Sequence, residues 1–433
     1  GTQYEQESKS TLEELVAKPK SEDLLTLIYT SGTTGNPKGV MLTHKNLISN
    51  IEGILKHVTF ETDEKFLSFL PLSHSFERMC GHFSGFSIGA QTYYAESIDT
   101  VPDNLQEVKP TVLISVPRLY EKMYAKIKAG LKTAPEIRQK IFAWAIGVGK
   151  ESTQYRLSNK SLPLMLSLKH AIANKLVYSK VKERVGGKLR FFVSGGAPLS
   201  KEIAEFFAAA DFTIIEGYGL SETSPILTAN SQGNIKFGSV GKPLFNVDIK
   251  IADDGEILAK GPNIMIGYFN NKEATSKAID SEGWFHTGDI GHIDSDGYLF
   301  ITDRKKDILV TSAGKNVAPA PLENALLTSV YIEQAVVIGD KRNFISALIV
   351  PSLESVQNKL TSNGKNISSS DIMSDHPDVK ALIQSEIDTV MADFSNYEKV
   401  KEFSILPRLL TIEDGELTPK LSVKRKIVLD HFS

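Results

Sequence analysis

The sequence predicts an α/β protein with a large N-terminal part built on parallel strands. Three observations predict this class: short β-rich runs alternate with helical stretches up to about residue 237, short strands with Gly and Asp turns follow at 238–303, and a unit with its own strands and helices occupies 304–433. Such alternation is typical of parallel sheets covered by helices. We therefore expect α/β subdomains in 1–237, a small β-rich subdomain in 238–303 and a small α+β C-terminal domain in 304–433.

The elements that support this division follow the chain in order. In the first part we predict strands at 24–29, 111–116, 189–193 and 213–215 and a helix at 201–210. The β-rich subdomain has a strand at 247–251 and turns at 254–255 and 296–297, and the last unit has strands at 333–338 and 345–350 with helices near 317–328 and 376–394. Because the carboxyl ends of parallel strands share one edge of a sheet, we expect ligands to bind at that edge.

Composition excludes several classes of protein. The 433 residues are 41% hydrophobic, and 49 Lys and Arg against 52 Asp and Glu give a net charge of −3, so no overall field favours nucleic acid. One cysteine, Cys80, excludes an internal disulfide framework and fits a reducing compartment; we expect a buried structural thiol. We find no secretory signal and no apolar run long enough for a membrane span. We expect a cytoplasmic protein, and leave a homodimer open.

The densest functional signal is the segment from residue 30 to residue 39, which follows the first predicted strand. Its hydroxyls and amides are suited to phosphoryl oxygens, its glycines permit close approach of the backbone, and Lys38 adds a positive charge. A Walker A loop is excluded because Gly39, rather than Ser or Thr, follows Lys38. We predict a phosphate-binding loop whose residues are Thr30, Ser31, Gly32, Thr33, Thr34, Gly35 and Lys38.

Five further motifs follow in order: Pro71–His74 (PLSH), Gly195–Pro198 (GGAP), Gly217–Thr223 (GYGLSET), Gly283–Asp289 (GWFHTGD) and Asp303–Ile308 (DRKKDI). With the loop, they resemble the ordered motifs of the adenylate-forming (AMP-binding) superfamily, which includes acyl-CoA synthetases, luciferases and the adenylation domains of peptide synthetases. Tyr268 and the Asp303-Arg-Lys-Lys run resemble the long-chain fatty acid–CoA ligase branch. The resemblance covers about residues 24 to 430, and it implies that the C-terminal domain is mobile and that the chain is N-terminally truncated.

The resemblance implies a two-step reaction. ATP, with Mg²⁺, would convert a fatty acid to acyl-AMP with release of pyrophosphate, and the acyl group would pass to the thiol of coenzyme A. Two alternatives stay open: transfer to a carrier protein, and a catalytically weakened protein that only binds nucleotide or acyl groups.

The resemblance also implies which residues would act on the phosphates of ATP. The loop and Lys38 would hold the β- and γ-phosphates, whereas Glu222 and Thr223 match positions that hold Mg²⁺ and the α-phosphate region. A carboxylate such as Glu222 can share a hard cation with phosphate oxygens. His74 matches a position that orients the substrate carboxylate, although a core histidine explains it almost equally well.

The nucleoside would lie against the glycine-rich motifs. Tyr218 matches the residue whose ring packs on adenine, a role that a buried aromatic residue alone would not suggest. Asp289 and Arg304 match residues that bind the ribose, since a carboxylate accepts from both hydroxyls and Arg donates in a fixed fork; alone, Asp289 is an equally good turn residue. The backbone groups assigned to nucleotide binding are those of Gly195, Gly196, Ala197, Gly217 and Gly219.

The C-terminal end departs from the family pattern. The family hinges its last domain at positions matching 303–306, and Gly314 would leave room for the pantetheine chain. Ser422 occupies the position at which long-chain ligases carry the adenylation lysine. Either Lys420, which lies on the same face if the segment is extended, or Lys424 would replace it, and we favour Lys420.

The stretch 122–190 is locally basic, with sixteen Lys and Arg against three Glu and with apolar residues interleaved. One interpretation of this stretch is a surface that makes peripheral contact with the anionic inner face of a membrane. A solvated helical excursion with a buried stripe is the other.

Overall fold

The structure is a computed structural model that describes residue 14 and residues 16–30, 37–158, 160–305, 307–365, 367–374, 376–417 and 423–432. Its strands, numbered along the chain, are β1 (Leu24–Thr30), β2 (Lys38–Thr43), β3 (Lys65–Ser68), β4 (Gln91–Tyr94), β5 (Val112–Ser115), β6 (Phe191–Ser194), β7 (Ile214–Gly219), β8 (Ile226–Ala229), β9 (Lys242–Pro243), β10 (Asp248–Ile251), β11 (Glu256–Lys260), β12 (Gly267–Tyr268), β13 (Phe285–Ile293), β14 (Leu299–Arg304), β15 (Leu309–Val310), β16 (Asn316–Val317), β17 (Ile332–Ile338), β18 (Ile345–Pro351) and β19 (Val400–Ile405).

The α-helices are α1 (His44–His57), α2 (Ser84–Ser87), α3 (Val101–Val108), α4 (Pro117–Lys132), α5 (Glu136–Leu157), α6 (Leu164–Ala173), α7 (Ser179–Glu183), α8 (Lys201–Ala209), α9 (Lys272–Ala278), α10 (Pro319–Leu326), α11 (Leu353–Ser362), α12 (Ser369–Ile372), α13 (Pro377–Val390) and α14 (Arg425–Phe432). Glu77–Phe83 and Asn174–Tyr178 are π-helical, and Ser221–Thr223 forms a 3₁₀ turn.

The largest sheet has seven strands in the order β4-β3-β5-β6-β7-β8-β9. The strands from β4 to β7 pair in parallel, and β8 and β9 join antiparallel at the other edge. Both faces of the sheet are buried. Val112 and Ile114 of the central strand face one core, whereas Leu113 faces a second core that includes Phe207 of α8. This burial on both faces explains why the strands are continuous apolar runs.

Two smaller sheets complete the first 304 residues. One has the order β1-β2-β12, with β1 and β2 antiparallel, so that the loop after Thr30 connects paired strands. The other has the order β10-β11-β13-β14 and is antiparallel throughout. The pairing of β13 with β14 places Asp289 opposite Arg304.

Four helices, α4 to α7, form a layer between β5 and β6 in the chain. Asp211, in the turn that follows α8, holds this layer in place because it pairs with both Arg156 and Lys182. Arg118 of α4 pairs with Glu333 of β17 over 2.7 Å, so the helical layer also contacts the C-terminal part of the chain.

The C-terminal part has a mixed sheet in the order β17-β18-β19, in which β17 and β18 are antiparallel and β18 and β19 are parallel. The helices α10, α11 and α13 bury apolar side chains against it, including Val356 and Ile383. The predicted helices near 317–328 and 376–394 correspond to α10 and α13, and the predicted helix at 201–210 corresponds to α8.

The predicted fold class is confirmed: a parallel α/β sheet, small antiparallel sheets and a C-terminal α+β region follow one another along the chain. The strand predicted at 213–215 is longer than expected, because β7 continues to Gly219 and so includes Tyr218. The boundaries proposed between the three parts stay a prediction.

Candidate active site

Three side chains predicted to bind the nucleoside contact one another. The hydroxyl of Tyr218 donates to Oδ2 of Asp289 over 2.6 Å, and Nε of Arg304 donates to Oδ1 of the same carboxylate over 3.1 Å. Tyr218 and Asp289 are buried, whereas half of the Arg304 side chain is exposed. Burial, and then the neighbouring Asp289 charge, raise the pKa of Tyr218, so its hydroxyl stays a donor.

The glycines around Tyr218 are needed for close packing of the chain as well as for the predicted approach of the backbone to the nucleotide. A Cβ on Gly219 would lie 1.6 Å from the carbonyl oxygen of Pro225, so the close approach of β7 to the next segment requires glycine there. A Cβ on Gly195 would lie 2.9 Å from the Phe76 ring. Gly196 has a φ of 82°, in the left-handed region that favours glycine, and is exposed beside Ala197 in the loop after β6.

A second cluster joins residues predicted to act on the phosphates. The hydroxyl of Tyr268 donates to Oε1 of Glu222 over 2.9 Å, and Nζ of Lys38 lies 4.9 Å from the centre of the Tyr268 ring. Burial, and then the charge of Glu222, raise the pKa of Tyr268. The backbone amide of Met265 donates to the carbonyl of Glu222 over 2.8 Å and fixes the turn. Tyr268 therefore connects the predicted metal ligand to the predicted phosphate lysine.

Two of the four predicted threonines, Thr30 and Thr223, lie within the described residues and take part in backbone structure. The hydroxyl of Thr223 accepts from the amide of Leu220 over 2.9 Å and donates to the carbonyl of Pro225, so it closes the turn that carries Glu222. Thr30 lies opposite Lys38 in the antiparallel pairing of β1 with β2. The rest of the predicted loop, residues 31–35, lies outside the described residues.

His74 lies in the turn before the π-helix, half-buried, and its Nδ1 accepts from the amide of Phe76 over 3.3 Å. The next residue, Ser75, is buried, and its hydroxyl lies 3.1 Å from the hydroxyl of Ser221. This contact joins the His74 turn to the turn that carries Glu222. Ser75 follows the PLSH motif directly, and no local sequence signal marks it as part of the site.

An apolar cavity adjoins the Tyr218 cluster. Its lining includes Tyr218, Gly195 and Gly196 together with the aromatic side chains of Phe60 and Phe66. Cys80 also lines it, and burial raises the pKa of its thiol, as expected of a structural cysteine. Ser75 and Ser84 provide hydroxyls in this otherwise apolar lining. Such a lining is suited to an aliphatic chain with its polar end near Ser75.

A polar cleft adjoins Tyr268. Lys38, Tyr268, Lys277, His286 and Gly288 are among its lining residues. The lining thus includes the predicted phosphate lysine and Gly288, which immediately precedes Asp289 in the chain. A polyphosphate attached to a nucleoside would lie along this lining.

The hinge and the C-terminal residues are described only in part. Lys305 donates to Asp254 over 2.6 Å and to Glu256 over 3.1 Å, which ties the predicted hinge segment to the small antiparallel sheet. Gly314 lies in the exposed turn between β15 and β16, with a φ of 72°, and no contact of the described residues joins it to Tyr218. Lys306, Lys420 and Ser422 lie outside the described residues.

Lys424 is described, and its backbone amide donates to the carbonyl of Glu416 over 2.7 Å. This bond anchors the start of α14. The choice between Lys420 and Lys424 as the adenylation lysine therefore stays a prediction.

Comparison with known proteins identifies the family of the chain. Residues 1–269 match the AMP-binding enzyme family and residues 306–433 match the AMP-binding enzyme C-terminal domain. The long-chain-fatty-acid–CoA ligase FadD15 of Mycobacterium tuberculosis is 41% identical over 426 residues, which are 96% of this chain and 69% of that protein. The chain belongs to the AMP-binding enzyme family. The resemblance stated from the six motifs is thus confirmed.

Solved structures of other AMP-binding proteins share the fold. The adenylation domain of a carboxylate reductase from Mycobacterium chelonae superposes with a TM-score of 0.74 at 25% identity, over 95% of this chain and 59% of that chain. The o-succinylbenzoate coenzyme A synthetase of Bacillus subtilis, in complex with AMP, gives a TM-score of 0.64 at 24% identity, over 94% of this chain and 69% of that chain. Among the described residues of this AMP-binding enzyme, no helix is both long and apolar enough to cross a membrane.

Proposed function

We propose that this AMP-binding enzyme is a long-chain fatty acid–CoA ligase. A carboxylate oxygen of the fatty acid attacks the α-phosphorus of ATP, the bond to the β-phosphate oxygen breaks, and pyrophosphate leaves. The thiol of coenzyme A then loses its proton and attacks the acyl carbon, and AMP departs with the oxygen that came from the acid. The first step creates a leaving group that a free carboxylate lacks.

The observation that carries the proposal is the position of the Tyr218–Asp289–Arg304 cluster against the apolar cavity. Asp289 accepts from the ribose hydroxyls in this arrangement, while Arg304 and Tyr218 hold its carboxylate in place. Tyr218 lines the cavity as well as contacting Asp289. One residue therefore borders both the nucleoside and the acyl chain, as formation of a bond between them requires.

The side chain of Glu222 fits a role in Mg²⁺ binding. One of its oxygens accepts from Tyr268, and no described residue forms a hydrogen bond with the other. Mg²⁺ is commonly bound by one or two carboxylates together with substrate phosphates. When bound, the ion would neutralise phosphate charge, with Glu222 as its protein ligand. Lys38, which lines the polar cleft, would hold the departing pyrophosphate.

The fatty acid is supported as substrate by the lining of the cavity and by the relatives at 41% identity, which are long-chain-fatty-acid–CoA ligases. Ser75 lines the cavity and follows His74 directly, and these two residues would orient the carboxylate. The proposal further includes coenzyme A as acceptor, with Gly314 beside its pantetheine chain after the C-terminal domain moves. Cytoplasmic location, contact with the inner membrane surface and a homodimer belong to the same proposal.

The test is pyrophosphate release by the purified chain with ATP, Mg²⁺ and palmitic acid, followed by addition of either coenzyme A or an acyl carrier protein. We expect pyrophosphate release that depends on the acid, and palmitoyl-CoA after addition of coenzyme A. Palmitoyl transfer to the carrier protein alone would favour the carrier alternative. Absence of pyrophosphate release, with binding of ATP retained, would favour the protein that only binds.

A further inference from the structure

The helix α6 presents an unusual apolar face to solvent. Leu164 is 90% exposed, Met165 66%, Leu168 60% and Ile172 46%, and Leu176 in the following turn is 43% exposed. At 100° per residue these five positions fall within an arc of about 120° on a helical wheel. The exposed side chains therefore form one continuous apolar face, which we call the α6 ridge (Leu164, Met165, Leu168, Ile172, Leu176).

The opposite face of the same helix is already used. Leu166 and Ala173 are buried, and they pack with Ala145 and Val148 of α5 in a separate small core. Tyr178, which follows the ridge, is fully buried and donates to the carbonyl of Ala145 over 2.5 Å. The ridge is consequently held outward by a fixed scaffold and cannot turn inward without emptying this core.

The Asp, Glu, Lys and Arg residues of the segment that carries the ridge all have one sign of charge. Between residues 152 and 182 the sequence has six Lys and Arg and no Asp or Glu. Two of the six, Arg156 and Lys182, pair with Asp211. Lys160, Lys169, Lys175 and Lys180 are exposed, and none of them pairs with a described carboxylate. An apolar face bordered by unpaired lysines complements a surface that is apolar within and negative at its boundary.

We propose that the α6 ridge docks on an anionic lipid bilayer, with Leu164, Leu168 and Ile172 inserted at the headgroup boundary and Lys169 and Lys175 near the lipid phosphates. Amphipathic helices bind interfaces through buried apolar area and through attraction of lysines to anionic lipid. A role for this contact in supplying the acyl chain rests on the proposed ligase reaction. The contact with the bilayer does not depend on that reaction.

The first experiment is flotation of the purified chain with vesicles, without substrates. We compare phosphatidylcholine vesicles with vesicles in which phosphatidylglycerol replaces a third of the lipid. The variant Leu164→Glu/Leu168→Glu removes the ridge, and Leu409→Glu/Ile412→Glu places the same charges on exposed apolar residues of the C-terminal part as a matched control. We expect wild type and control to float with the anionic vesicles, and the ridge variant to bind at least about tenfold more weakly.

A second variant, Lys169→Gln/Lys175→Gln, tests the charge. About 1 kcal/mol for each lysine near the surface corresponds to about fivefold weaker binding for each substitution, and the difference should disappear at high salt. Circular dichroism checks that each variant is folded. The proposal is overturned if wild type floats with neither kind of vesicle, or if the ridge variant floats as wild type does.

Enzyme assays separate this proposal from the proposed function. Octanoic acid in solution does not need delivery from a bilayer, so the ridge variant should use it at the wild-type rate while losing activity on palmitic acid held in anionic vesicles. Vesicle binding without ligase activity would leave the docking surface intact and contradict the ligase. Ligase activity on vesicle-held palmitic acid that is unchanged in the ridge variant would contradict the supply role.

Discussion

The hydroxyl of Tyr268 donates a hydrogen bond to the carboxylate of Glu222 over 2.9 Å. The same tyrosine ring lies 4.9 Å from the ammonium of Lys38. Tyr268 thus contacts both the predicted Mg²⁺ ligand and the predicted pyrophosphate lysine, although it need not contact the reacting atoms. We regard it as a positioning residue.

Replacement of Tyr268 by Phe keeps the ring beside Lys38 and removes only the hydrogen bond to Glu222. A hydrogen bond to a charged group contributes about 1.5–3 kcal/mol, so we expect acyl-adenylate formation to slow by roughly tenfold or more. Because Glu222 would lose its orientation, the Mg²⁺ concentration needed for half-maximal rate should rise while KM for palmitic acid stays constant. Tyr397→Phe, at an exposed tyrosine, is the control. An unchanged Mg²⁺ dependence would refute the positioning role.

Replacement of Asp289 by Asn should weaken ATP binding. The amide cannot accept from Arg304, Tyr218 and the ribose as a carboxylate does, so we expect KM for ATP to rise by about tenfold or more. Since Asp289 is buried, Arg304→Gln, at a half-exposed side chain, provides an independent test that spares the core. Asp248→Asn, at an exposed position of β10, is the matched control. Normal ATP affinity in both site variants would contradict the nucleoside assignment.

The identity of the adenylation lysine is a separate prediction. We expect Lys420→Ala to slow acyl-adenylate formation by more than about tenfold, which is about 1.4 kcal/mol of transition-state stabilisation, and Lys424→Ala to have a smaller effect. The rate of pyrophosphate release in a single turnover measures this directly. If neither variant loses tenfold, both assignments fail. Ser422→Lys restores the family pattern and should accelerate the Lys420→Ala variant.

Glu216 gives a prediction about stability and pH. This carboxyl of β7 is 6% exposed, and burial raises its pKa to about 8. A carboxyl with a raised pKa in the folded state stabilises the fold at low pH, and that contribution is lost as pH rises from the unfolded pKa toward about 8. From about pH 5 to about pH 8 the wild type should lose on the order of 3 kcal/mol relative to Glu216→Gln. Urea unfolding of both proteins at each pH measures this difference in the free energy of unfolding. If the two free energies of unfolding change with pH in parallel, the raised pKa of Glu216 is contradicted.

The sequence was sufficient to predict the layers of the fold, because apolar runs and turn residues are local signals. The strands predicted at 345–350 and 333–338 match β18 and β17 closely, and their apolar runs end at Pro351 and Gly339. The extension of β7 to Gly219 could not be seen in the same way. Tyr218 lies between two glycines there, and pairing with β8 rather than local propensity keeps the segment extended.

The site was predicted as a set of residues but not as a set of contacts. The motifs placed Tyr218, Asp289 and Arg304 together by resemblance, and the structure brings them within hydrogen-bonding distance. The links from Tyr268 to Glu222 and from Ser75 to Ser221 span 46 and 146 residues, and no local pattern reveals them. They depend on the packing of separate sheets, which only the folded chain shows.

The most direct test of the ligase assignment is isotope transfer. The chain is incubated with ATP, Mg²⁺, coenzyme A and palmitate labelled with ¹⁸O in its carboxylate, and the AMP is analysed by mass spectrometry. If an acyl-adenylate forms as proposed, each AMP released with palmitoyl-CoA carries one ¹⁸O atom in its phosphate. Unlabelled AMP, or label found in phosphate or pyrophosphate, would contradict the account.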